Sequence, residues 1–203
     1  MQVIELEPSD DVAEAAWIGP RLHPFNNYDA GSVIPTGFEA YARLDHEREG
    51  VLPETVAQAL VDVLSAQSSN RDPLWLAMWE GYGYMYAGSA FATLTATRLF
   101  VPEGEEPGPP PIVWRRPPSR PRGTPRLRLP GRNYLLYRGS FAQVPGWMEG
   151  PNLWWPVDRA WCVASEIDLP WTFVGGSTDL IDAMIGDQDL NARCISLDES
   201  NVS

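Results

Sequence analysis

Residues 151–177 read PNLWWPVDRAWCVASEIDLPWTFVGGS and hold four of the nine tryptophans of the chain. Tryptophan is highly buried on average, so a stretch this rich in it is expected at the centre of the fold. Within it, residues 161–167 and 171–174 have the composition of strands. The connection between them is too short for a crossover helix, so the two strands must pair as an antiparallel hairpin.

Three segments have the periodicity or the capping residues of helices. Apolar residues recur at helical spacing within residues 53–67, which predicts an amphipathic helix there. Ser177 follows two glycines and supplies an N-cap oxygen, which predicts a helix over residues 178–186. Capping residues at 9–11 predict a short first helix that ends near residues 19–20. Additional strands are predicted at residues 38–44, 74–80, 90–101 and 133–138.

Length and composition set the limits of the architecture. A chain of 203 residues is long enough for one domain with a substantial core and short for two. With 44% hydrophobic residues it can bury that core despite 20 prolines and 17 glycines. Because strands outnumber helices, the sequence predicts an α+β fold. We expect a single domain over residues 1–203, in which two to three helices pack on an antiparallel sheet.

The composition changes sharply at residues 102–130, which hold ten of the twenty prolines. Proline fixes φ and removes a backbone donor, so neither a helix nor a central strand can run through this segment. We expect an extended insertion that adds nothing to the core and is dispensable for folding. Three roles stay open: a polyproline ligand at residues 117–121, a phosphate-binding arm at residues 120–128, or a loop whose arginines lie on an acidic body.

The charge of the chain is large and unevenly distributed. The formal net charge is −12, and eight of the fifteen basic residues, all arginine, lie at residues 115–138. A surface this acidic repels nucleic acid and anionic lipid. We therefore expect a basic protein partner and no membrane contact, with nucleic acid excluded except through the arm at residues 115–138.

The ends and the cysteines indicate the compartment. The first sixteen residues, MQVIELEPSDDVAEAA, lack the basic start and apolar run of a secretory signal. No stretch approaches the roughly 20 apolar residues needed to span a bilayer. Cys162 and Cys194 are too few for a disulfide framework. These features predict a cytoplasmic protein with reduced thiols.

Residues suited to covalent or metal chemistry are scarce. His23 and His46 are the two histidines, and neither lies in a known metal-ligand spacing. There is no GxSxG motif, and Cys162 falls in the middle of a predicted strand. We therefore expect no catalytic residue, no metal ligand and no cofactor.

Carboxylates near the central hairpin are candidates for a binding site. A regular strand would place Glu166 and Asp168 on one face. They could form an acid/base pair, contact a ligand or partner, or be structural carboxylates held by Arg138 or Arg159. Glu80, which ends a predicted strand, is expected near the same face.

Four further residues near the hairpin are candidates for ligand or partner contact. Trp154 and Trp155 lie in a connection rich in glycine and proline, where an exposed aromatic residue would recognise something. The alternative is that both belong to the core. Asp158 and Arg159 fall in the predicted turn 156–159, with a local ion pair.

Four blocks of this sequence resemble a known family. They are GFEAYARL at 37–44, WLAMWEGYG at 75–83, LPGRNYLLYRG at 129–139 and the tryptophan-rich stretch at 151–177. They are similar to a family of hypothetical actinobacterial proteins that share the pattern LWWPxDRAWCVAxEID followed by VGGS. The resemblance implies an intracellular bacterial protein with a shared fold, and it implies no chemistry.

Two functional hypotheses follow from the sequence. The first is a non-enzymatic interaction or regulatory protein, of the immunity type, that binds a basic partner through an acidic face. The second is a small-ligand binder or hydrolase that uses carboxylates beside exposed tryptophans. A deep pocket with raised carboxyl pKa values would favour the second, and a flat acidic surface would favour the first.

Overall fold

The computed structural model describes residues 6–50, 52–68, 73–83, 85–86, 117–145 and 150–200. Within these residues, the two α-helices are α1 (Glu54–Gln67) and α2 (Thr178–Gly186). Neither is long and apolar enough to cross a membrane. The nine strands are β1 (Glu7–Ser9), β2 (Ala40–Asp45), β3 (Leu74–Trp79), β4 (Leu127–Leu129), β5 (Arg132–Gly139), β6 (Leu153–Pro156), β7 (Cys162–Ser165), β8 (Trp171–Gly176) and β9 (Ala192–Cys194).

The described strands form one antiparallel sheet in the order β1-β5-β3-β6-β7-β8-β2-β9. β4 joins the outer edge of β5, where it pairs with the first residues of that strand, and β1 pairs with the last ones. The predicted hairpin is present, since β7 pairs with β8 from Cys162 opposite Gly175 to Ser165 opposite Thr172. A mostly antiparallel sheet with few helices fits the expected α+β class.

The four central strands are buried on both faces. Along β3, Leu76 and Met78 face one side of the sheet, while Trp75 and Ala77 face the other. α1 and α2 cover the first side, which we call the helix face. Residues 12–38, which form short 3-10 turns joined by irregular backbone, cover the second side, the coil face. The sheet is therefore the middle of three layers.

The predictions for the helices and strands are largely confirmed, but one predicted helix differs and four strands were missed. α1 and α2 occur where the periodicity predicted them. The expected first helix is instead a pair of 3-10 turns, Val12–Ala15 and Gly19–Arg21, without a side-chain cap. β6 was missed, because its four residues lie between prolines and glycines that predicted a connection. β1, β4 and β9, each of three residues, were also missed. The predicted strand 90–101 lies outside the described residues.

Trp154 and Trp155 are core residues, which confirms the core alternative and corrects only their placement in a connection rather than a strand. They lie in β6 on opposite faces of the sheet, and their relative exposures are 1% and 0%. A strand that is buried on both faces does not alternate apolar and polar residues. It reads instead as a short apolar run bounded by turn residues. Because both side chains are buried, neither can contact a ligand or partner directly at the surface.

The proline-rich insertion contributes to the core in the part that the structure describes, so the expectation that it adds nothing is wrong there. Leu127 in β4 is 6% exposed and packs in the coil-face core. Arg120 is 5% exposed and its guanidinium donates to the carbonyls of Leu136 and Ser9 and to the Asp10 carboxylate. β1 and β4 leave a gap along β5, and Arg120 satisfies the backbone there. Residues 102–116 lie outside the described residues.

We expect Trp161→Ala to lower the free energy of unfolding by about 3–5 kcal/mol, because it empties a large core site. Trp161 is 1% exposed, its ring centroid lies 5.3 Å from that of Trp154, and its Nε1 donates to Ser68 Oγ at 2.9 Å. Urea unfolding followed by circular dichroism measures the change. The exposed Val157→Ala is the control and should stay within about 0.5 kcal/mol. Equal stabilities would contradict the burial of Trp161.

We expect Arg120→Met to cost about 1–3 kcal/mol of unfolding free energy, because the Leu136 carbonyl would lose its guanidinium donor inside the protein. The neighbouring, exposed Arg122→Met keeps the same change of charge and should cost little. Chemical denaturation of the two variants gives the difference. If both variants matched the unmodified protein, the described half of the insertion would be peripheral after all.

Candidate functional site

The turn between β4 and β5 positions the residues of a polar cluster at one end of the coil face. Leu129 pairs with Arg132, so the hairpin loop consists of Pro130 and Gly131. Gly131 has a φ of 82°, which a side chain would strain, and proline followed by such a glycine fits a type II turn. Arg132 therefore leaves the turn at a fixed position, as the first residue of β5.

Arg132 joins the two carboxylates that the sequence placed together. Its Nε donates to Glu166 Oε2 at 2.7 Å, and its Nη2 lies 2.7 Å from Glu166 Oε1 and donates to Asp168 Oδ2 at 2.8 Å. Both carboxylates lie in the turn after β7 rather than in the strand, which ends at Ser165. Burial lowers the pKa of Arg132, but the hydrogen bonds to Glu166 and Asp168 and the nearby negative charge together outweigh burial and raise the pKa overall. The group is a fixed ion triad.

Glu80 lies next to this triad, as the sequence predicted. Its backbone N–H donates to the Asn133 carbonyl at 3.0 Å, and its carboxylate accepts from Tyr86 Oη and Asn133 Nδ2, both at 2.7 Å. Arg126 Nε lies 2.9 Å from the same carboxylate. Burial raises the pKa of Glu80, but these hydrogen bonds and the nearby arginines outweigh it, so the pKa lies below its ordinary value.

An open cleft of about 470 Å³ lies between these groups. The Arg132 guanidinium carbon lies 5.0 Å from the centre of the Trp79 ring at its wall. Because the Arg132 guanidinium already stacks on this indole, that face of the ring is not free to stack on a ligand. The lining residues are Trp79, Glu80, Gly81, Leu129, Gly131, Arg132 and Asn133.

Asn152 is a positioning residue that sequence reasoning missed. It is 3% exposed, and its Oδ1 accepts from the Trp79 backbone N–H at 2.7 Å. Its backbone N–H donates to the Ala77 carbonyl, and its backbone carbonyl accepts from the Ser165 N–H. It therefore ties β3, β6 and β7 together beside the cleft. Its place directly before the apolar run of β6 was the available signal, since a polar residue there must find partners in neighbouring strands.

The other candidate residues lie away from this cluster. Arg138 stacks over Trp75 near the far end of β5, with 5.3 Å from its guanidinium carbon to the ring centre. Arg159 lies 3.9 Å from Glu14. Its N–H donates to the Pro156 carbonyl, which confirms the predicted turn, and Asp158 accepts from the Ala160 N–H there. The structure thus brings Glu80, Glu166 and Asp168 together and leaves Arg138, Trp154, Trp155, Asp158 and Arg159 apart from them.

The carboxylates of the cluster are all bound by hydrogen bonds or ion pairs to neighbouring side chains. A general acid needs a carboxyl group whose pKa is raised toward neutrality. The pKa of Glu80 moves the other way, and Glu166 and Asp168 are paired with a guanidinium. Burial raises the pKa of the Cys162 thiol, which therefore stays protonated inside the sheet. The three carboxylates are therefore suited to stabilising the fold or binding a cation, and not to transferring a proton.

A second charged surface covers the outside of the helix face. The helix segments 52–68 and 177–191 contain six carboxylates and no arginine, lysine or histidine. None of the six forms an ion pair with another described residue. Ile185 lies among them with 42% of its surface exposed. We call this the acidic helix surface; its carboxylates are Glu54, Asp62, Asp179, Asp182, Asp187 and Asp189.

Comparison of the chain with protein-family models, with curated proteins and with solved structures finds no match. The resemblance to the actinobacterial family stays a prediction. Function must therefore be argued from the geometry and charge of the described residues.

We expect the pKa of Glu80 to rise toward its ordinary value in Arg126→Gln, because a cation beside the carboxylate is removed. An NMR titration of the side-chain carboxyl carbons measures the pKa, and Arg138→Gln is the control.

The folded-state pKa of Glu80 is depressed, so the stabilisation by ionised Glu80 is present above the pKa of the unfolded state and is lost as the pH falls through the pKa of the folded state. Glu80→Gln should therefore destabilise the protein at pH 7 and have less effect in acid. No change in Arg126→Gln would contradict the contact.

Proposed function

We propose that this protein is a non-enzymatic interaction protein that binds a basic protein partner through the acidic helix surface. The observation that carries the proposal is the separation of charge between the two sides of the sheet. On the coil face, carboxylates such as Glu166 and Asp168 are paired with arginine. On the acidic helix surface, six carboxylates have no arginine, lysine or histidine among them.

The physical basis is electrostatic steering. A net charge of −12 on a small body raises the local concentration of cationic partners and speeds their encounter. Charge paired internally contributes little to that field at a distance, so the unpaired helix carboxylates provide the directional part. Ile185 adds exposed apolar area within the surface, and protein interfaces combine an apolar centre with a polar rim.

Glu166 and Asp168, the carboxylates near the hairpin that the sequence indicated, lie outside the acidic helix surface. Reversing Glu166 or Asp168 to arginine would break an ion triad with Arg132 and would test structure as much as recognition. Asp62 and Asp182 are exposed on α1 and α2 and pair with no described arginine. They are the sharper probes. An immunity-type role in the cytoplasm belongs to the same proposal.

The cleft beside Glu80 supports a second candidate, a small-ligand binder. Its volume of about 470 Å³ and its wall of Trp79 suit a small polar molecule. The cleft is open and the pKa of Glu80 is lowered, and neither property favours hydrolysis. The acidic helix surface is therefore the better supported site.

We expect the double reversal Asp62→Arg with Asp182→Arg to weaken binding of a fluorescent deca-lysine peptide by about tenfold or more, because it removes the unpaired charge on both helices. Fluorescence anisotropy measures the affinity. Binding by the unmodified protein should also weaken above about 0.1 M salt, where the Debye length falls below about 10 Å. Capture from a lysate of the source organism should then yield a basic protein that the reversed variant fails to retain.

The control has the same change in net charge at a different place. Glu7→Arg with Asp11→Arg alters two exposed residues of the amino-terminal segment, away from the helices. It should lower the peptide affinity much less than the helix reversal does. Equal losses in the two variants would mean that only total charge matters, and would remove the acidic helix surface as the site.

A further inference from the structure

The segment at residues 23–29 and the turn at residues 196–199 meet on the outside of the coil face. There, one ligand atom from each of His23, Asp29 and Asp198 lies within 4.8 Å of the other two. The set combines an imidazole nitrogen with two carboxylate oxygens. Sequence spacing could not predict it, because Asp198 comes from the opposite end of the described chain and meets the others only through folding.

The structure fixes the two amino-terminal groups of this set. Asp29 is 8% exposed, and its Oδ1 accepts from the Ser32 N–H at 2.9 Å. Its Oδ2 lies 3.0 Å from His23 Nδ1. The His23 ring lies directly against Gly31, where an added Cβ would come within 2.4 Å of Nδ1. The backbone N–H of His23 donates to the Gly31 carbonyl at 2.8 Å, so the main chain also fixes the position of the imidazole.

The third group approaches on a turn that is attached to the same segment. Ala30 N–H donates to the Glu199 carbonyl and Gly31 N–H donates to the Leu197 carbonyl, both at 2.9 Å. These bonds flank Asp198 on both sides. Its backbone is therefore fixed while its side chain stays exposed, which lets the carboxylate adjust to a ligand without a change of fold.

We propose that His23, Asp29 and Asp198 form a binding site for one divalent transition-metal ion, with Zn²⁺ as the best fit. Zn²⁺ accepts imidazole and carboxylate ligands together and often has three protein ligands and a water. Mg²⁺ and Ca²⁺ prefer an all-oxygen set, so one imidazole and two carboxylates suit them less well. The bound ion joins the amino-terminal segment to the carboxy-terminal turn and stabilises the fold, since it binds the folded state selectively.

Isothermal titration calorimetry with ZnCl₂ on the full chain tests the site. Cys194 is an exposed thiol that could bind zinc independently, so the titrations use a Cys194→Ser background. We expect one equivalent of Zn²⁺, with an affinity that Asp198→Asn lowers by about tenfold or more, as even the loss of an outer-shell partner can do. The control Asp11→Asn removes an exposed carboxylate elsewhere and should leave the affinity unchanged. Zn²⁺ should also raise the melting temperature, and an equal concentration of Mg²⁺ should not.

Nitrogen-15 NMR of the imidazoles gives a readout that needs no variant of His23. On addition of Zn²⁺, the ring resonances of His23 should shift and those of His46 should not. His46 provides the internal reference, since it is the second histidine of the chain. The proposal is overturned if no equivalent binds, if Asp198→Asn binds as tightly as its background, or if the His23 ring resonances do not respond.

Discussion

Burial of one antiparallel sheet on both faces is the constraint on which the rest of the structure depends. The central strands β3, β6, β7 and β8 have side chains packed against helices on one side and against the coil layer on the other. An antiparallel sheet more often leaves one face to solvent, and then apolar and polar residues alternate. Here both sets must be apolar, so tryptophans occur side by side in β6. Within these four strands, polar residues lie only near the strand ends, at Ser165 and Thr172, and Asn152 directly precedes β6.

Arginine fulfils two tasks around the coil face. Arg43 stacks over Trp171, with 3.8 Å from its guanidinium carbon to the ring centre, and it also binds Asp45. Arg132 combines Trp79 with two carboxylates in the same way. A planar guanidinium can cover an indole while its edge donates to carboxylates, which an ammonium group does less well. Asp45, Glu166 and Asp168 on this side are thus paired with arginine, whereas the carboxylates of the two helices form no ion pair with another described residue.

Local pattern was sufficient for the elements whose signals are contained within a few residues. α1 and α2 follow from periodicity and a capping serine, and the β7–β8 hairpin follows from a short connection. β6 was not predicted, because it pairs with β3, which lies far away in the chain. β4 pairs locally with β5, but it has only three residues and lies in the proline-rich segment, where a loop was expected. The candidate site divides similarly. Glu80, Glu166 and Asp168 could be grouped from strand positions, whereas their partner Arg132 is supplied by strand order, which composition does not contain.

The strands at the edges of the described sheet differ from those at its centre. β1, β4 and β9, which form its borders, have three residues each. Pro8 lies in the middle of β1, and Arg128 and Arg193 lie in the middle of β4 and β9. Short borders that carry proline or charge resist pairing with a strand from another molecule. The partner that we propose could therefore not extend the sheet by main-chain hydrogen bonds, and it would recognise side chains on the surface instead.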